Sequence, residues 1–398
     1  MNYIMATMDE IISDLQQGKM IVVVDDPSRE NEGDLVMAAQ FADTEAVNFM
    51  TKYGRGIICV PMLQHDLQRL QIPPMVTENT DNHQTAFTVS VDHVETTTGV
   101  SPAERALTIR QLLNPQAHSG EFRRPGHVFP LIYRDGGVLV RRGHTEASID
   151  LLRIAGLYPA SVICEITADN GDMMRRKELA NFCDTHRLHM ISVADIIVYR
   201  KQHEPLVKCV ASSKLPTAYG NFTLYVYEDV LDSFNHLAIV KGDVRNRDNV
   251  LVRIHSECLT GDVFGSKRCD CGEQLHAALR RIDREGAGAV IYMRQEGRGI
   301  GLVNKIKAYR LQETGMDTVE ANERLGFAPD LREYSLSAKI IEDLGIHSIR
   351  LLTNNPDKIE GLHEYGITIA SREPITVPAN EYNKEYLHTK ELKMGHQF

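Results

Sequence analysis

The sequence contains no tryptophan, and phenylalanine and tyrosine make up only 6% of its 398 residues. It also has no apolar run long enough to cross a membrane and no low-complexity tract. These absences exclude an integral membrane helix and a disordered repeat chain. The N-terminal segment lacks the basic region and apolar core of a secretory signal, so we expect a cytoplasmic protein with no membrane partner.

Basic charge is also scarce, since 44 lysines and arginines stand against 54 aspartates and glutamates, giving a net charge of −10. A protein that coats nucleic acid needs a basic surface, so we expect no nucleic-acid partner and only local phosphate binding. The seven cysteines are an odd number, and three of them are clustered. This pattern favours reduced thiols and metal binding over a disulfide framework.

The length predicts more than one domain. A chain of 398 residues exceeds one ordinary hydrophobic core and predicts roughly two or three domains. Helix-like and strand-like segments alternate until a charged and then small-polar stretch at 199–216, where the alternation breaks. We therefore predict an α/β (α+β) fold with two domains, residues 1–202 and 203–398, each a mixed sheet with flanking helices.

Hydrophobic periodicity and capping residues predict the individual elements. Helices are predicted at 8–17, 44–53, 102–113, 145–155, 273–284, 302–313 and 332–344. Strands are predicted at 20–24, 56–60, 86–91, 138–140, 162–166, 220–227, 236–240, 250–255, 289–293 and 349–353.

The three clustered cysteines, Cys258, Cys269 and Cys271, have the spacing C-x10-C-x-C. Thiolates suit tetrahedral zinc, and three protein ligands leave the fourth position open, as catalytic zinc requires. The paired C-x2-C knuckles of a zinc ribbon are absent. Because His255 is available as a fourth ligand, the residues alone leave open a closed structural zinc site, or a site without metal, beside the open catalytic site.

An acidic loop follows the first predicted strand. Within residues 25–34, D-D-P-S-R-E-N-E-G-D, five carboxylates surround one arginine, Arg29. Crowded carboxylates repel one another unless a cation compensates, and their hard oxygens suit Mg²⁺ or Mn²⁺. The same residues are turn formers, so the pattern leaves open a metal site or a solvated turn.

Further polar residues lie at strand ends and at a helix start. The motif R-P-G-H-V-F-P contains His127, and the motif R-R-G-H-T-E-A begins a predicted helix whose N–H groups would bind phosphate. His144 in that turn is placed to reach a metal or to serve as a capping or surface residue. Glu165 lies in the apolar strand V-I-C-E-I-T, where a carboxylate is costly unless it is paired or used chemically.

Two turns in the second half combine glycine or asparagine with basic residues. R-Q-E-G-R-G-I-G-L at 294–302 follows a predicted strand and opens a helix, but it differs from a Rossmann fingerprint. T-N-N-P-D-K at 353–358 is a second strand-to-helix turn, in which Lys358 is able to meet phosphate. Lys305 and Tyr309 follow the first turn, where a solvated lysine and a packing tyrosine are the alternatives to a role in a site.

The motifs R-E-N-E-G-D, R-P-G-H-V-F-P and R-x-G-H-T-E-A, with the glutamate strand, resemble 3,4-dihydroxy-2-butanone 4-phosphate synthase over about residues 1–200. The resemblance implies conversion of D-ribulose 5-phosphate to formate and 3,4-dihydroxy-2-butanone 4-phosphate. It implies Mg²⁺ or Mn²⁺ on Glu30 and His144, and catalytic roles for His127 and Glu165. The substrate contacts that it implies come from Arg29, Glu30, Asp34, Arg141, Arg142, Gly143, His144, Thr145 and Glu165.

The motifs H-S-E-C-L-T-G-D, R-C-D-C-G, R-Q-E-G-R-G-I-G-L, D-T-V-E-A-N and L-L-T-N-N-P resemble GTP cyclohydrolase II over about residues 205–398. The resemblance implies hydrolysis of GTP to 2,5-diamino-6-(5-phosphoribosylamino)pyrimidin-4(3H)-one, formate and diphosphate. It implies zinc on Cys258, Cys269 and Cys271, with Mg²⁺ or Mn²⁺ on the GTP phosphates. The implied GTP contacts are Arg253, Ile254, His255, Ser256, Glu257, Gln274, Glu296, Gly297, Arg298, Thr318, Thr353 and Lys358.

The second resemblance also implies catalytic roles for three further residues. It makes Asp330 the proton acceptor, makes Arg332 the group that attacks or engages the α-phosphate, and places Tyr309 in the site. A guanidinium almost never loses its proton, so its chemistry favours electrostatic stabilisation over nucleophilic attack.

Taken together, the two resemblances imply a bifunctional enzyme of riboflavin biosynthesis that forms a homodimer. The alternative is that one half alone is active. The other half would then be a scaffold or a zinc-stabilised, nucleotide-binding regulatory module.

Overall fold

The structure is a computed structural model that describes residues 5–230 and 234–397. The chain divides into two compact units between Arg200 and Lys201. Each unit contains a mixed sheet of seven strands with flanking helices, which confirms the predicted fold class. No helix of the described residues is long and apolar enough to cross a membrane.

The first unit has a seven-stranded sheet in the order β4-β5-β3-β6-β2-β1-β7. Its helices are α1 (Met8–Gln16), α2 (Thr44–Phe49), α3 (Gln64–Arg69), α4 (Pro102–Leu112), α5 (His144–Ile154), α6 (Arg176–His186) and α7 (Val193–His203). Its strands are β1 (Ile21–Val24), β2 (Gly33–Ala38), β3 (Cys59–Met62), β4 (Val91–His93), β5 (Phe122–Ile132), β6 (Ser161–Glu165) and β7 (Met190–Ser192).

Helices cover both faces of this sheet because side chains along each strand alternate between two cores. Val22 and Val24 of β1 belong to the core shared with α2, α4 and α6. Ile21 and Val23 belong to the opposite core, shared with α1, α5 and α7. All four residues of β1 are buried, which explains why this strand is a continuous apolar run.

The second unit has a seven-stranded sheet in the order β14-β13-β11-β12-β10-β9-β8. Its helices are α8 (Leu259–Asp262), α9 (Cys271–Glu285), α10 (Gly301–Gln312), α11 (Thr318–Arg324), α12 (Ser335–Asp343), α13 (Asp357–His363) and α14 (Lys384–Met394). Its strands are β8 (Val207–Thr217), β9 (Gly220–Asp229), β10 (Asn235–Lys241), β11 (Val250–Ser256), β12 (Gly288–Met293), β13 (Ser348–Leu352) and β14 (Thr368–Glu373).

Strand direction divides this second sheet into two parts. β14, β13, β11 and β12 are parallel to one another, whereas β12, β10, β9 and β8 pair antiparallel in succession. The carboxyl ends of parallel strands meet at one edge, and in α/β sheets ligands bind outside that edge. The loops after β11, β12 and β13 are therefore placed to build a site.

The predicted strand at 138–140 is wrong. The chain there forms a short 3-10 turn, Gly137–Leu139, rather than a strand. Gly136 and Gly137 adopt positive φ angles of 90° and 59°, and the Asp150 carboxylate accepts a backbone N–H from the turn at 2.8 Å. The two glycines turn the backbone out of the extended conformation.

One further prediction also differs from the structure. The predicted strand 86–91 is reduced to isolated bridges at Phe87 and Thr88, and β4 begins only at Val91. The stretch 199–216, where the alternation of the sequence pattern breaks, holds the end of α7 and most of β8. Because β8 is the edge strand and most of its side chains are exposed, it lacks the apolar pattern that identifies a strand.

Candidate active sites

The acidic loop between β1 and β2 is folded around the carboxylate of Asp25. Its Oδ2 atom accepts hydrogen bonds from the Arg29 guanidinium (3.0 Å) and the backbone N–H of Glu30 (3.1 Å). Its Oδ1 atom accepts the N–H of Glu32 at 2.9 Å, and Arg29 also lies 2.9 Å from the Glu30 carboxylate. One arginine and several backbone N–H groups thus offset the repulsion among the carboxylates.

Glu30 and His144, which were predicted as metal ligands, lie side by side. Nδ1 of His144 is 3.5 Å from Oε2 of Glu30 and 3.8 Å from Oδ1 of Asp34. Ligand atoms of Asp25, Glu30 and His144 all lie within 4.8 Å of one another. Nε2 of His144 and Oδ1 of Asp34 are buried without a hydrogen-bond partner among the described residues. Oxygen and imidazole donors with orphaned buried atoms fit Mg²⁺ or Mn²⁺.

The charges in this group are strongly coupled. Burial raises the pKa of Asp34 to about 7. Burial opposes the charge of His144, but the carboxylates of Asp34 and Glu30 outweigh it and raise the pKa of the imidazole to about 9. Burial likewise opposes ionisation of Glu30, yet His144 and Arg29 lower the pKa of this carboxyl to about 2. The carboxylates of Asp34 and Glu30 therefore favour the positively charged imidazolium form of His144.

Strand register places three predicted residues in one row across the sheet. Asp34 on β2 is opposite Glu165 on β6. Cys59 of β3 pairs with Phe129 of β5 and with Ile163 of β6. Extending both pairings by two residues brings Ile57 opposite His127 and Glu165. Residues paired in this way share a face, here the face covered by α5. With neighbouring strands about 4.8 Å apart, His127 lies about 14 Å across the sheet from Asp34.

Backbone contacts hold Glu165 at its position. Oε2 of Glu165 accepts the N–H of Ile57 at 2.8 Å. The preceding residue is Gly56, where a Cβ atom would lie 2.4 Å from the same oxygen. Glycine is therefore required there for the carboxylate to approach the backbone.

His127 is oriented by Asp92. Nδ1 of His127 lies 2.7 Å from Oδ2 of Asp92, and Oδ1 of Asp92 accepts the backbone N–H of His127 at 2.8 Å. About half of the histidine side chain (48%) is exposed. With Nδ1 held by a carboxylate, Nε2 is the ring atom available to exchange a proton with a ligand.

Arg141, a predicted phosphate contact, already binds other side chains of the protein. Its guanidinium lies 2.5 Å from the Glu146 carboxylate and 2.9 Å from Oγ1 of Thr85. Arg142 is exposed. Of the two arginines, Arg142 is therefore the one whose charge is available to a phosphate.

The helix start of α5 supplies the rest of that motif. Gly143 is the N-cap of α5, and a Cβ atom there would lie 2.4 Å from Nη1 of Arg141. Thr145 is buried in the first helical turn beside His144. The N–H groups of this turn form an anion site at the end of α5 that faces the carboxylate group.

The three clustered cysteines converge in the second unit. Their sulfur atoms lie within 4.8 Å of one another, and Sγ of Cys258 is 3.5 Å from Sγ of Cys269. Hydrogen bonds from Cys269 and Cys271, together with the charge of Lys305, lower the pKa of Cys258. Thiolates bound to one tetrahedral zinc ion lie about 3.8 Å apart, so these three sulfurs fit zinc.

His255, the alternative fourth ligand, lies outside that group of sulfurs. Its Nε2 atom is 3.1 Å from both carboxylate oxygens of Asp262, and its ring stacks on Tyr292. Oδ2 of Asp262 also accepts the N–H of Cys258 and the hydroxyl of Tyr292, both at 2.9 Å. Asp262 thus orients the cysteine loop, and His255 does not close the sulfur group.

Lys305 connects the cysteine group to the turn after β12. Its Nζ atom lies 3.1 Å from Sγ of Cys258, 3.1 Å from Oγ1 of Thr260 and 2.7 Å from Oε1 of Glu296. Oε2 of Glu296 accepts the N–H of Leu259 at 2.7 Å. The alternative of a solvated lysine is therefore wrong for this buried residue.

A cavity lies at the carboxyl edge of β11, β12 and β13, where the topology places a site. Its lining includes nearly all of the residues predicted for GTP and zinc: Arg253, His255, Ser256, Glu257, Cys258, Cys269, Cys271, Gln274, Glu296, Gly297, Arg298, Tyr309, Thr318, Arg332, Thr353 and Lys358. Ile254 is an exception. It lies between Arg253 and His255 on β11, and the alternation of side chains along the strand turns it into the hydrophobic core.

Two cations in this cavity lack a carboxylate partner among the described residues. Arg253 donates to Oε1 of Gln274 (2.6 Å) and to a backbone carbonyl (2.9 Å), while Lys358 donates to the carbonyl of Ile254 (2.8 Å). Burial lowers the pKa of Arg253 to about 10, and burial beside Arg253 and Arg332 lowers the pKa of Lys358 well below its usual range. Buried cations without counter-charge create a strong site for an anion.

Asp330 forms an ion pair with Arg332, which lines the cavity, but Asp330 itself is not among the described residues that line it. Nε of Arg332 lies 2.9 Å and 3.0 Å from the two carboxylate oxygens, and Nη2 also contacts Oδ2. Burial opposes both charges, but the pair raises the pKa of Arg332 and lowers that of Asp330. Both groups are therefore held in their charged forms.

Tyr309 lies on α10 with its hydroxyl 3.3 Å from Oγ1 of Thr260 and its ring beneath the Arg268 guanidinium. Burial raises the pKa of Tyr309 to about 12. The phenol stays protonated and is able to donate a hydrogen bond into the cavity.

Sequence motifs missed several residues of the cavity wall. Arg268 and Asn354 lie within or beside recognised motifs and could have been included on that ground. Tyr386, Lys390 and His396 come from the C-terminal segment, which carries no recognisable motif, so only the folded structure brings them to the cavity.

Comparison with protein-family models assigns a family to each part of the chain. Residues 9–199 match the model of 3,4-dihydroxy-2-butanone 4-phosphate synthase. Residues 208–374 match the model of GTP cyclohydrolase II. The two matches follow one another along the chain in the order that the motifs predict.

Full-length relatives have the same combination. The chain is 55% identical over 389 residues to riboflavin biosynthesis protein RibBA of Bacillus cereus, covering 98% of each chain. It is 54% identical to RibBA of Bacillus cytotoxicus, again over 98% of each chain. A crystal structure of RibBX, a two-domain 3,4-dihydroxy-2-butanone 4-phosphate synthase from A. baumannii, matches with a TM-score of 0.68 and 32% identity, covering 94% of this chain and all of that chain.

The predicted pair of activities is thereby confirmed. The chain belongs to the family of bifunctional riboflavin biosynthesis proteins, which combine 3,4-dihydroxy-2-butanone 4-phosphate synthase and GTP cyclohydrolase II in one polypeptide.

Proposed function

We propose that the two reactions take place at two separate sites, one in residues 1–202 and one in residues 203–398. The ribulose 5-phosphate site is the group around Glu30 and His144. The GTP site is the cavity at the carboxyl edge of β11–β13. The assignment of GTP to this cavity rests on two buried cations, Arg253 and Lys358. A triphosphate supplies the negative charge that these cations need as a partner.

At the first site, Glu30 and His144 hold Mg²⁺ or Mn²⁺. Such an ion, when bound, polarises adjacent oxygens of the sugar phosphate. Arg29 keeps Glu30 in place, and Asp34 lies within reach of the same ligand. The exposed Arg142 and the N–H groups of His144 and Thr145 bind the phosphate.

Formation of an enediol from the ketose needs groups that remove and return protons. Glu165 and His127 fill these roles because each has one polar atom fixed by the protein and another available to the ligand. Glu165 lies opposite Asp34 on the face covered by α5, whereas His127 lies three strands away from Asp34 on that face.

Replacing Glu30 tests this assignment. The Glu30→Ala variant should lose formate release from ribulose 5-phosphate and keep its GTP turnover. Glu45→Ala, at an exposed position of α2, is the control and should keep both activities. Formate release by Glu30→Ala at the wild-type rate would remove Glu30 from the site.

At the second site, Cys258, Cys269 and Cys271 would hold zinc. Zinc, when bound, supplies the Lewis acidity for attack at C8 of guanine. Glu257, Glu296 and Tyr309 present hydrogen-bonding groups on the same side of the cavity as the sulfurs. The base is therefore placed toward the cysteines, and the triphosphate toward Arg253 and Lys358.

Loss of diphosphate requires positive charge at the phosphates. Arg298, Arg332 and Lys358 supply it together with Mg²⁺ or Mn²⁺ on the GTP phosphates. Asp330 is the proton acceptor that the family resemblance implies, and its ionised form suits that role.

Arg332 acts by electrostatic stabilisation rather than as a nucleophile, because its pair with Asp330 holds the guanidinium charged. Acid-quenched reactions digested and analysed by mass spectrometry should contain no guanylylated peptide. A guanylyl adduct mapped to Arg332 would establish the covalent route instead.

The homodimer and the cytoplasmic location remain predictions. A second copy offers one way to bring His127 to the substrate, since about 14 Å of sheet separates it from Asp34 within one chain. Sedimentation of the full chain tests the dimer. A reducing compartment is required to keep the three cysteines as thiolates, which supports the cytoplasm.

A further inference from the structure

The C-terminal segment 384–397, hereafter the strap, forms one wall of the GTP cavity. It consists of α14 and the three residues that follow it. Tyr386, Lys390, Met394 and His396 line the cavity beside the predicted residues. The strap lies beyond the GTP cyclohydrolase II match, which ends at residue 374.

Lys390 is the charged residue of this wall. Its Nζ atom lies 3.0 Å from Oδ1 of Asp270 and 4.3 Å from the centre of the Tyr386 ring. Its side chain is 10% exposed, in contrast to Lys384 and Lys393 of the same helix, which are exposed. A lysine aimed inward from a surface helix costs desolvation energy that a ligand can offset.

The surroundings of Lys390 already contain more cations than carboxylates. Arg332 and Lys358 lie close enough to act electrostatically on the strap and on one another. Asp270, the partner of Lys390, also accepts a hydrogen bond from Gln274, which in turn holds Arg253. Lys390 thus adds a further cation to the cavity wall, next to the cysteine loop and within electrostatic reach of Lys358.

The strap is attached by polar contacts rather than by the hydrophobic cores. Lys393 pairs with Asp317 and with Glu320 (3.0 Å) at the start of α11. The N–H of Gln397 donates to the carbonyl of Asn354 at 2.9 Å. Among the described residues, none from the strap belongs to a core cluster. Elements that lie outside the hydrophobic cores are among those that open locally in folded proteins.

We propose that the strap closes over bound GTP and that Lys390 within it binds the triphosphate. Its anchors reach three parts of the site: the cysteine loop through Asp270, α11 through Lys393, and the turn after β13 through Gln397. Docking of the strap therefore completes the positive wall of the cavity and separates it from solvent. The proposal rests on the assignment of GTP to this cavity.

The test compares Lys390→Met with Lys384→Met in the full chain. Loss of a charge-assisted contact should raise KM for GTP and the inhibition constant of inorganic tripolyphosphate about tenfold or more in Lys390→Met. Lys384→Met should match the wild type in both. Zinc content and formate release from ribulose 5-phosphate should be unchanged in both variants.

A structural role for Lys390 as the partner of Asp270 makes a different prediction. If Lys390 only neutralises that carboxylate, Asp270→Asn should restore tripolyphosphate binding to Lys390→Met. The proposal predicts no such rescue, and a rescue would overturn it. Wild-type KM and tripolyphosphate binding in Lys390→Met would overturn it as well.

A variant outside the cavity gives an independent measure of strap closure. Lys393→Ala removes the exposed anchor to α11 and should raise KM for GTP about two- to fivefold, with kcat little changed. An unchanged KM in Lys393→Ala would contradict closure of the strap as a unit.

The Arg253→Ala variant shows whether a negative result contradicts only the strap proposal or also the assignment of GTP to this cavity. If Arg253→Ala also has wild-type GTP kinetics, the assignment of GTP to this cavity is wrong. If Arg253→Ala is impaired and Lys390→Met is not, only the strap proposal fails.

Discussion

The two candidate sites of this chain differ in the sign of the charge that the protein concentrates. In the first unit, the carboxylates of Asp25, Glu30 and Asp34 outnumber the cations beside them, Arg29 and His144. In the second unit, the cavity lining has more cationic side chains than carboxylates, and Arg253 and Lys358 are buried without carboxylate partners among the described residues. We therefore expect the first site to need a metal cation to hold its substrate, and the second to bind a polyphosphate with its own side chains.

The scaffolds beneath the sites are alike, but their strand directions differ. Both units have a seven-stranded mixed sheet with helices on both faces. The GTP cavity lies at the carboxyl edge of parallel strands, where three loops meet. In the first unit, β2 is antiparallel to both neighbours, and the site is a row of side chains across the strands. Parallel strands supply loops to a site, whereas the mixed arrangement supplies strand residues directly.

Loss of a cysteine ligand is expected to cause the largest difference between the two activities. Cys258→Ser should lower GTP turnover by at least about 1000-fold, since several kcal/mol of metal catalysis are lost. Formate release from ribulose 5-phosphate should be unchanged. Cys209→Ser, at an exposed cysteine of β8, is the matched control and should keep both activities. Equal loss of both activities in Cys258→Ser would show that the sites are not independent.

A small change at Gly56 is expected to have the opposite effect, lowering the ribulose 5-phosphate activity and leaving the GTP activity unchanged. In Gly56→Ala the new Cβ would lie 2.4 Å from Oε2 of Glu165 and 2.7 Å from its backbone N and O atoms, so Glu165 must move. A displacement of this kind is expected to lower ribulose 5-phosphate turnover about 100-fold, with GTP turnover unchanged. In Gly120→Ala the nearest side-chain atom lies 3.4 Å away, so that variant should be active. Wild-type turnover in Gly56→Ala would remove Glu165 from the mechanism.

A smaller effect is expected from Asp262, which contacts the cysteine loop without belonging to the sulfur group. Asp262→Asn weakens the acceptor for the Cys258 N–H, His255 and the Tyr292 hydroxyl. Zinc affinity should fall about 10- to 100-fold, as measured by competition with a chromogenic chelator. Ribulose 5-phosphate turnover serves as the internal control. An unchanged zinc affinity would show that Asp262 only supports the fold.

The motifs predicted which residues come together at the two candidate sites, because most of these residues lie near strand ends or helix starts. The three cysteines and the pair Glu30 and His144 come together as their spacing and chemistry suggest. The strand register then aligns Glu165 with Asp34, which the sequence alone could not indicate. Alternation along β11 likewise explains why Arg253 and His255 face the cavity and Ile254 does not.

The remaining features depend on contacts between distant parts of the chain. Lys390 reaches Asp270 across 120 residues, and no local pattern marks that pairing. Lys305 resembles a solvated helix lysine until Cys258 and Glu296 are brought beside it. Gly137 turns the chain because the Asp150 carboxylate lies beneath it, so an apolar stretch that was expected to form a strand became a turn.

The most direct test of two separate sites is metal reconstitution of the full chain. Protein stripped of metal with a chelator is assayed with both substrates after addition of Mg²⁺ alone, and then after addition of Mg²⁺ with zinc. We predict that Mg²⁺ alone restores formate release from ribulose 5-phosphate and leaves GTP turnover absent, and that zinc then restores GTP turnover. Recovery of GTP turnover with Mg²⁺ alone, or a zinc requirement for the ribulose 5-phosphate reaction, would contradict this account.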